Sequence, residues 1–200
     1  MRNPGMIFDN VVRDQGSDLG LPAHLRRQVV AFSGSEAPGH GLAVVEARNG
    51  VAVAVLNLLG QLFLPTPVSP WEMVDKLVEE ARAAAPVVFL DFHAEATSEK
   101  VAMATWLDGR VTAVIGTHTH IQTNDARILP GGTAALSDAG MTGPHDSVIG
   151  VRSELAIARM RTRLPVRFEP AEGDVRLEGA LVRCTDEGRA EAIELVRVPA

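Results

Sequence analysis

Tyrosine is missing altogether from this 200-residue chain, cysteine occurs once, and aromatic residues make up only 4%. So few rings cannot build the stacking platforms on which proteins bind single-stranded nucleic acid. A lone Cys184 forms no intramolecular disulfide, which fits a reducing compartment and a cytoplasmic location. Basic residues are also in deficit: 19 Lys and Arg stand against 25 Asp and Glu, a formal net charge of −6. That balance argues against sequence-independent binding to DNA. It leaves room for a small phosphate ester held through a metal, because a bound cation dominates its own surroundings. Long apolar runs are lacking too. The longest, Val51 to Leu59, is interrupted by Asn57 and falls far short of the ~20 residues of a membrane helix. The first residues include Arg2, Asp9, Arg13 and Asp14 with no apolar core, so no signal peptide is expected.

What is present suits one globular domain with a sizeable core: 46% of residues are hydrophobic. Residues 1–40 form the least regular part, with a short strand expected at Met6 to Phe8, weak helical character from Leu19 to Gln28, and a loop from Ser33 to Gly41. Gly41 to Ala47 and Val51 to Asn57 flank Arg48-Asn49-Gly50, and Asn-Gly between such runs signals a hairpin. Ser69-Pro70-Trp71-Glu72 is a helix start, and Trp71, Val74, Leu77, Val78 and Ala81 then share one apolar face. A strand at Val87 to His93, a helix from Thr97 to Leu107 and a strand from Val111 make a β-α-β unit, whose strands should be parallel. Beyond it, the pattern predicts a hairpin at Arg127 to Ser137, a Gly-rich loop from Asp138 to Gly150, and a helix from Val151 to Arg163. Strands follow near Val166 to Phe168, Val175 to Val182 and Ala190 to Val198.

Two stretches concentrate the chemistry. Val87 to Lys100 reads V-V-F-L-D-F-H-A-E-A-T-S-E-K, and Val111 to His120 reads V-T-A-V-I-G-T-H-T-H. Each is a β-branched apolar run that ends in polar residues and histidine, as a strand buried on both faces would. Ligands of such sheets bind outside the carboxyl ends of the strands, so His93, His118 and His120 should gather at one edge. In extended chain His118 and His120 would point the same way, a spacing that suits ligands of one metal or of two neighbouring metals. His145, after Gly143-Pro144, is either a substrate neighbour or a solvated loop residue. His24 and His40 read as surface residues and Cys184 as a buried one. Thr97-Ser98 reads chiefly as a helix start, and Glu95 and Glu99 as residues that shape the site.

The strings D-F-H-A-E-A-T-S-E-K (91–100), G-T-H-T-H (116–120) and D-A-G-M-T-G-P-H-D (138–146) together closely resemble the YmdB-like branch of the calcineurin-type metallophosphoesterases. The likeness runs from about Gly39 onward and includes Asn57-Leu58-Leu59-Gly60 and Leu164-Pro165-Val166-Arg167-Phe168. The resemblance implies an α/β fold: a sandwich of two mixed sheets flanked by helices. It also implies phosphodiesterase activity on small substrates such as 2′,3′-cyclic nucleotides at a dinuclear centre of divalent metal, iron or manganese. In that pattern His93 and His118 bind one metal and His120 the other.

The chain departs from the family at its start. The G-D-hydrophobic-hydrophobic-G string with its metal-binding Asp and the E-N string with its bridging Glu are both absent, as in an N-terminally truncated member. The best match to the family's G-N-H motif is Asp9-Asn10-Val11, which keeps an amide ligand at Asn10. It places Val11, which transfers no proton, where the catalytic histidine belongs, so no catalytic acid is assigned. The expectation is therefore weak binding or a single metal at His93, His118 and Asn10, with His120 beside them, and impaired turnover. The competing readings are a non-catalytic relic that works as a binding or regulatory protein, and a gene fragment. A homo-oligomer is compatible with each reading, and neither DNA nor membrane is expected as a partner.

Overall fold

The computed structural model describes residues 41–64, 66 and 68–200. The expected strand at Met6 to Phe8, the helical stretch at 19–28, and Asn10, Val11, His24 and His40 lie outside the described residues.

The Asn-Gly hairpin forms as its sequence requires. β1 (Leu42–Glu46) and β2 (Ala52–Leu59) pair antiparallel, closed by Gly50 N donating to Ala47 O at 2.9 Å. Gly50 sits at φ +85°, a conformation that costs glycine little. Helix α1 (Pro70–Ala84) begins where Ser69 accepts from Trp71 N, with proline in the first turn. It buries Val74, Val78 and Ala81. β3 (Val87–His93), α2 (Thr97–Trp106) and β4 (Ala113–Thr117) follow as a β-α-β unit with parallel strands. The cap of α2 is Ala96 with no side-chain hydrogen bond, so Thr97 and Ser98 start the helix without capping it.

β5 (Arg127–Ile128) and β6 (Ala134–Leu136) form the next hairpin. The first sheet then has the order β1-β2-β3-β4-β6-β5, mixed in direction, with β3 and β4 at its centre. β7 (Gly143–Pro144), β8 (Val175–Cys184) and β9 (Ala190–Pro199) make a second, antiparallel sheet, and α3 (Ser153–Thr162) lies between β7 and β8 in the chain. Two departures from expectation sit in this half. Residues 166–168 form no strand. The apolar residues of α3 are largely unburied: Ile157 and Met160 are 48% and 72% exposed, and Ala156 alone is buried.

The layers explain why β3 and β4 are apolar on both faces. Toward the helices, Leu56, Leu58, Leu90, Phe92 and Val114 pack with Val74, Val78, Met103 and Leu107. Toward the second sheet, Ala113, Ile115, Ala134 and Leu136 meet Ala180, Val182, Ile193 and Leu195. Each large apolar side chain so buried contributes about 1.5–3 kcal/mol. The α/β sandwich expected from the sequence is therefore present, with a mixed sheet and an antiparallel one. Among the described residues no helix is long and apolar enough to cross a membrane.

Candidate metal centre

β3 ends at His93 and β4 at Thr117, side by side in register, so the two strands deliver their polar ends to one edge. Gly116 is required there, because a Cβ on it would lie 1.9 Å from Ser137 O where the loop after β6 crosses β4. After Thr117 the chain leaves the strand: His118 has φ +115° and His120 φ +65°. The extended-chain spacing expected for this pair therefore does not apply. The turn is held instead by Asp138, whose Oδ2 accepts from Thr119 N at 3.0 Å and from Lys100 Nζ at 2.8 Å. The side chains of Lys100 and Asp138 are 4% and 1% exposed, a buried ion pair that clamps α2 to the histidine turn. Glu99 does similar work on the other side. Its two oxygens accept from the backbone N–H groups of Gln61 and Leu62, at 3.0 and 3.1 Å. Gly60 permits this close approach, since a Cβ on it would lie 2.5 Å from Ala94 Cβ.

The polar chain behind His93 can be followed hydrogen by hydrogen. Asp91 Oδ2 accepts from Asn57 Nδ2 at 2.8 Å, and Asp91 Oδ1 accepts from Thr117 Oγ1 at 2.9 Å. The threonine has then spent its only proton, so its oxygen accepts from His93 Nδ1–H at 3.2 Å. This places the hydrogen of a neutral His93 ring on Nδ1 and leaves a lone pair on Nε2. Burial, then the neighbouring His118 and Lys100, lower the His93 pKa to about 4 against a weaker opposing effect of Asp138, so the ring is neutral at pH 7.

His118 meets it from the other direction. Its Nε2 donates to Glu95 Oε2 at 2.8 Å, which leaves the lone pair on Nδ1. His118 Nδ1 and His93 Nε2 are 2.9 Å apart, with the rings edge to face at 87°. At this distance one N–H between the rings satisfies the pair, or both nitrogens turn lone pairs toward a single ion. A separation of 2.9 Å is also compatible with two neighbouring ligands of one ion at bonds of roughly 2.0–2.1 Å. His120 is held in a related way: Nδ1 donates to Ile149 O at 3.0 Å, and the ring is near enough to bear on the charge of His93. A ligating histidine typically commits its second nitrogen to a carboxylate or carbonyl in this way.

The structure therefore brings together His93 and His118 and sets His120 beside them. Among the described residues, no three His, Cys, Asp or Glu side chains stand close enough to enclose a metal ion by themselves. His93 and His118 thus offer two imidazole nitrogens to one point, and among the described residues no third such side chain completes a ligand set around them. The roles of Asp91, Lys100 and Thr117 escape sequence reasoning because each partner is distant in the chain, whereas Glu95, expected to shape the site, holds His118. The signal that could have found them is their clustering within the two motifs. His145 is largely buried rather than solvated, with Nδ1 donating to Gly143 O and Nε2 3.3 Å from Glu178. Cys184 is half-buried, and burial raises its thiol pKa.

The family model described as YmdB-like protein matches residues 30–196. A 2′,3′-cyclic-nucleotide 2′-phosphodiesterase of Bacillus subtilis is 48% identical over 80% of this chain and 60% of its own length. A putative phosphatase/phosphodiesterase of Mycoplasma genitalium is 38% identical over 75% and 54%. Among solved structures, a hypothetical protein of Thermus thermophilus superposes with a TM-score of 0.78 at 37% identity, over 83% of this chain and 64% of that one. A phosphatase of Mycoplasma pneumoniae gives 0.73 at 32%, over 80% and 58%. The chain thus spans about three-fifths of the length of the relatives it matches.

Proposed function

This chain belongs to the YmdB-like family, and from that premise we propose that it is a phosphodiesterase of weakened activity. Its substrates are small phosphodiesters such as 2′,3′-cyclic nucleotides, and it depends on one divalent metal, manganese or iron. The observation that carries the reading is the approach of His93 Nε2 and His118 Nδ1 to 2.9 Å at the carboxyl edge of β3 and β4. His93 and His118 would hold the ion, with His120 next to them and Asn10, from outside the described residues, as a further ligand.

When bound, the cation supplies charge neutralisation for the phosphate and a more acidic water. The chain's own residues do the rest. Asp91 and Thr117 orient His93 and keep its hydrogen on Nδ1. The Lys100–Asp138 pair fixes the backbone of the histidine turn, so the imidazoles are preorganised before substrate arrives. Glu95, about half exposed, is the carboxylate closest to the rings and holds a proton at His118 Nε2. Among the described residues around these rings none is placed as an acid for the leaving alkoxide, which supports slow turnover.

The test is hydrolysis of bis-p-nitrophenyl phosphate and 2′,3′-cyclic AMP with added Mn²⁺, with His118→Ala in parallel. Metal-dependent turnover that vanishes in the variant is the expected result. The absence of any three-ligand cluster among the described residues favours a second reading, a non-catalytic phosphate-binding relative. Saturable binding of the substrate without turnover would establish that reading in place of the first.

A further inference from the structure

At the opposite end of the same sheet lies a cavity of about 310 Å³, on the amino-terminal side of β3 and β4. β3 separates it from His93 by roughly 20 Å, its seven residues rising about 3.3 Å each. Its walls come from the end of α1, the turn before β4, the β5–β6 turn and the β8–β9 turn. The floor is backbone, because two of these turns meet where no side chain fits: a Cβ on Gly188 would lie 2.0 Å from Pro86 O. Gly132, at φ +98°, lies under the side chain of Arg189, whose Cγ and Nε are 3.2 Å from where its Cβ would be.

The titratable side chains of the lining are Arg82, Arg110, Arg189 and Glu187. Asp75 holds Arg110 at 2.6 Å. Arg82 donates Nη1 to Arg110 O at 2.9 Å and, like Arg189, has no carboxylate partner among the described residues. In a chain of net charge −6, two guanidinium groups without a carboxylate partner among the described residues line one concave space, with Glu187 the one carboxylate in that lining. The backbone donors of the turns are already used: Gly131 N on Asp108, Gly132 N on Leu129 O and Gly188 N on Thr185 O. Recognition therefore falls to the guanidinium forks, which match phosphate oxygens in geometry and charge. The volume is at the small end of ligand sites and larger than a bare oxyanion needs.

From these features we infer that the cavity is a second binding site, separate from the histidine edge, for a small organic phosphate monoester. The inference does not rest on the hydrolytic reading, because none of its residues touches the metal centre. The test is calorimetric titration of metal-free protein with adenosine 3′-monophosphate, with adenosine as the uncharged control. The wild type, His118→Ala and the double variant Arg82→Ala/Arg189→Ala are compared, each checked for an unchanged fold by circular dichroism. The expected result is one saturable site for the monophosphate and none for adenosine, retained in His118→Ala. The arginine double variant should weaken it about tenfold or more, as loss of charge-assisted hydrogen bonds implies. No saturable binding overturns the proposal, as does equal binding of adenosine, binding unaffected by the double variant, or binding lost in His118→Ala.

Discussion

The carboxyl edge of the six-stranded sheet and the three-stranded sheet beside it both use ion pairs, and they use them differently. At the edge, Lys100 and Asp138 are sealed from water and each serves the histidine turn. On the second sheet, Arg183 and Glu194 face each other across β8 and β9 at 3.1 Å with most of their surface in solvent. Side-chain chemistry is nearly the same in the two places. Burial decides that the first pair fixes geometry and that the second is close to neutral in energy.

The contrast can be broken or sharpened by mutation. Asp138→Ala leaves Lys100 buried without a partner, and should cost about 3–5 kcal/mol in denaturant unfolding. The double replacement Lys100→Met/Asp138→Leu should regain most of that loss while leaving the histidine turn unpinned. A cost below about 1 kcal/mol for Asp138→Ala would erase the difference between the two regions. Glu99→Ala removes the acceptor of two backbone N–H groups and should cost about 1.5–3 kcal/mol, with faster amide hydrogen exchange at Gln61 and Leu62. Thr117→Val cuts the path from Asp91 to His93 with little change in volume. Metal affinity by calorimetry should fall about 10–100-fold while the fold is kept. At the small end, Arg183→Ala should shift the midpoint by no more than about 1 kcal/mol of stability, and less at high salt.

How much of this was legible in the sequence differs by region for physical reasons. β3 and β4 could be read because burial on both faces leaves an uninterrupted apolar run with an abrupt polar end. The β1–β2 hairpin and the start of α1 could be read because Asn49-Gly50 and Ser69-Pro70 are local signals for local events. The site was half legible. That His93, His118 and His120 lie at one edge follows from strand direction, but their mutual geometry does not. His118 and His120 have positive φ in a turn whose central Thr119 N donates to Asp138, a residue distant in the chain. The same limit hid the tautomer of His93, which depends on Thr117 and Asp91. In the other direction, Val166 to Phe168 and the apolar residues of α3 have the composition of buried structure without forming it. Local pattern states a preference, and a packing surface has to be present for that preference to be realised.

The central claim is that one divalent cation is shared by the facing nitrogens of His93 and His118. Titration of metal-free protein with Mn²⁺, followed by calorimetry and elemental analysis after desalting, measures it directly. The account predicts one equivalent per chain, abolished in His93→Ala and in His118→Ala. Two tightly held equivalents, or one that survives either substitution unchanged, would contradict it.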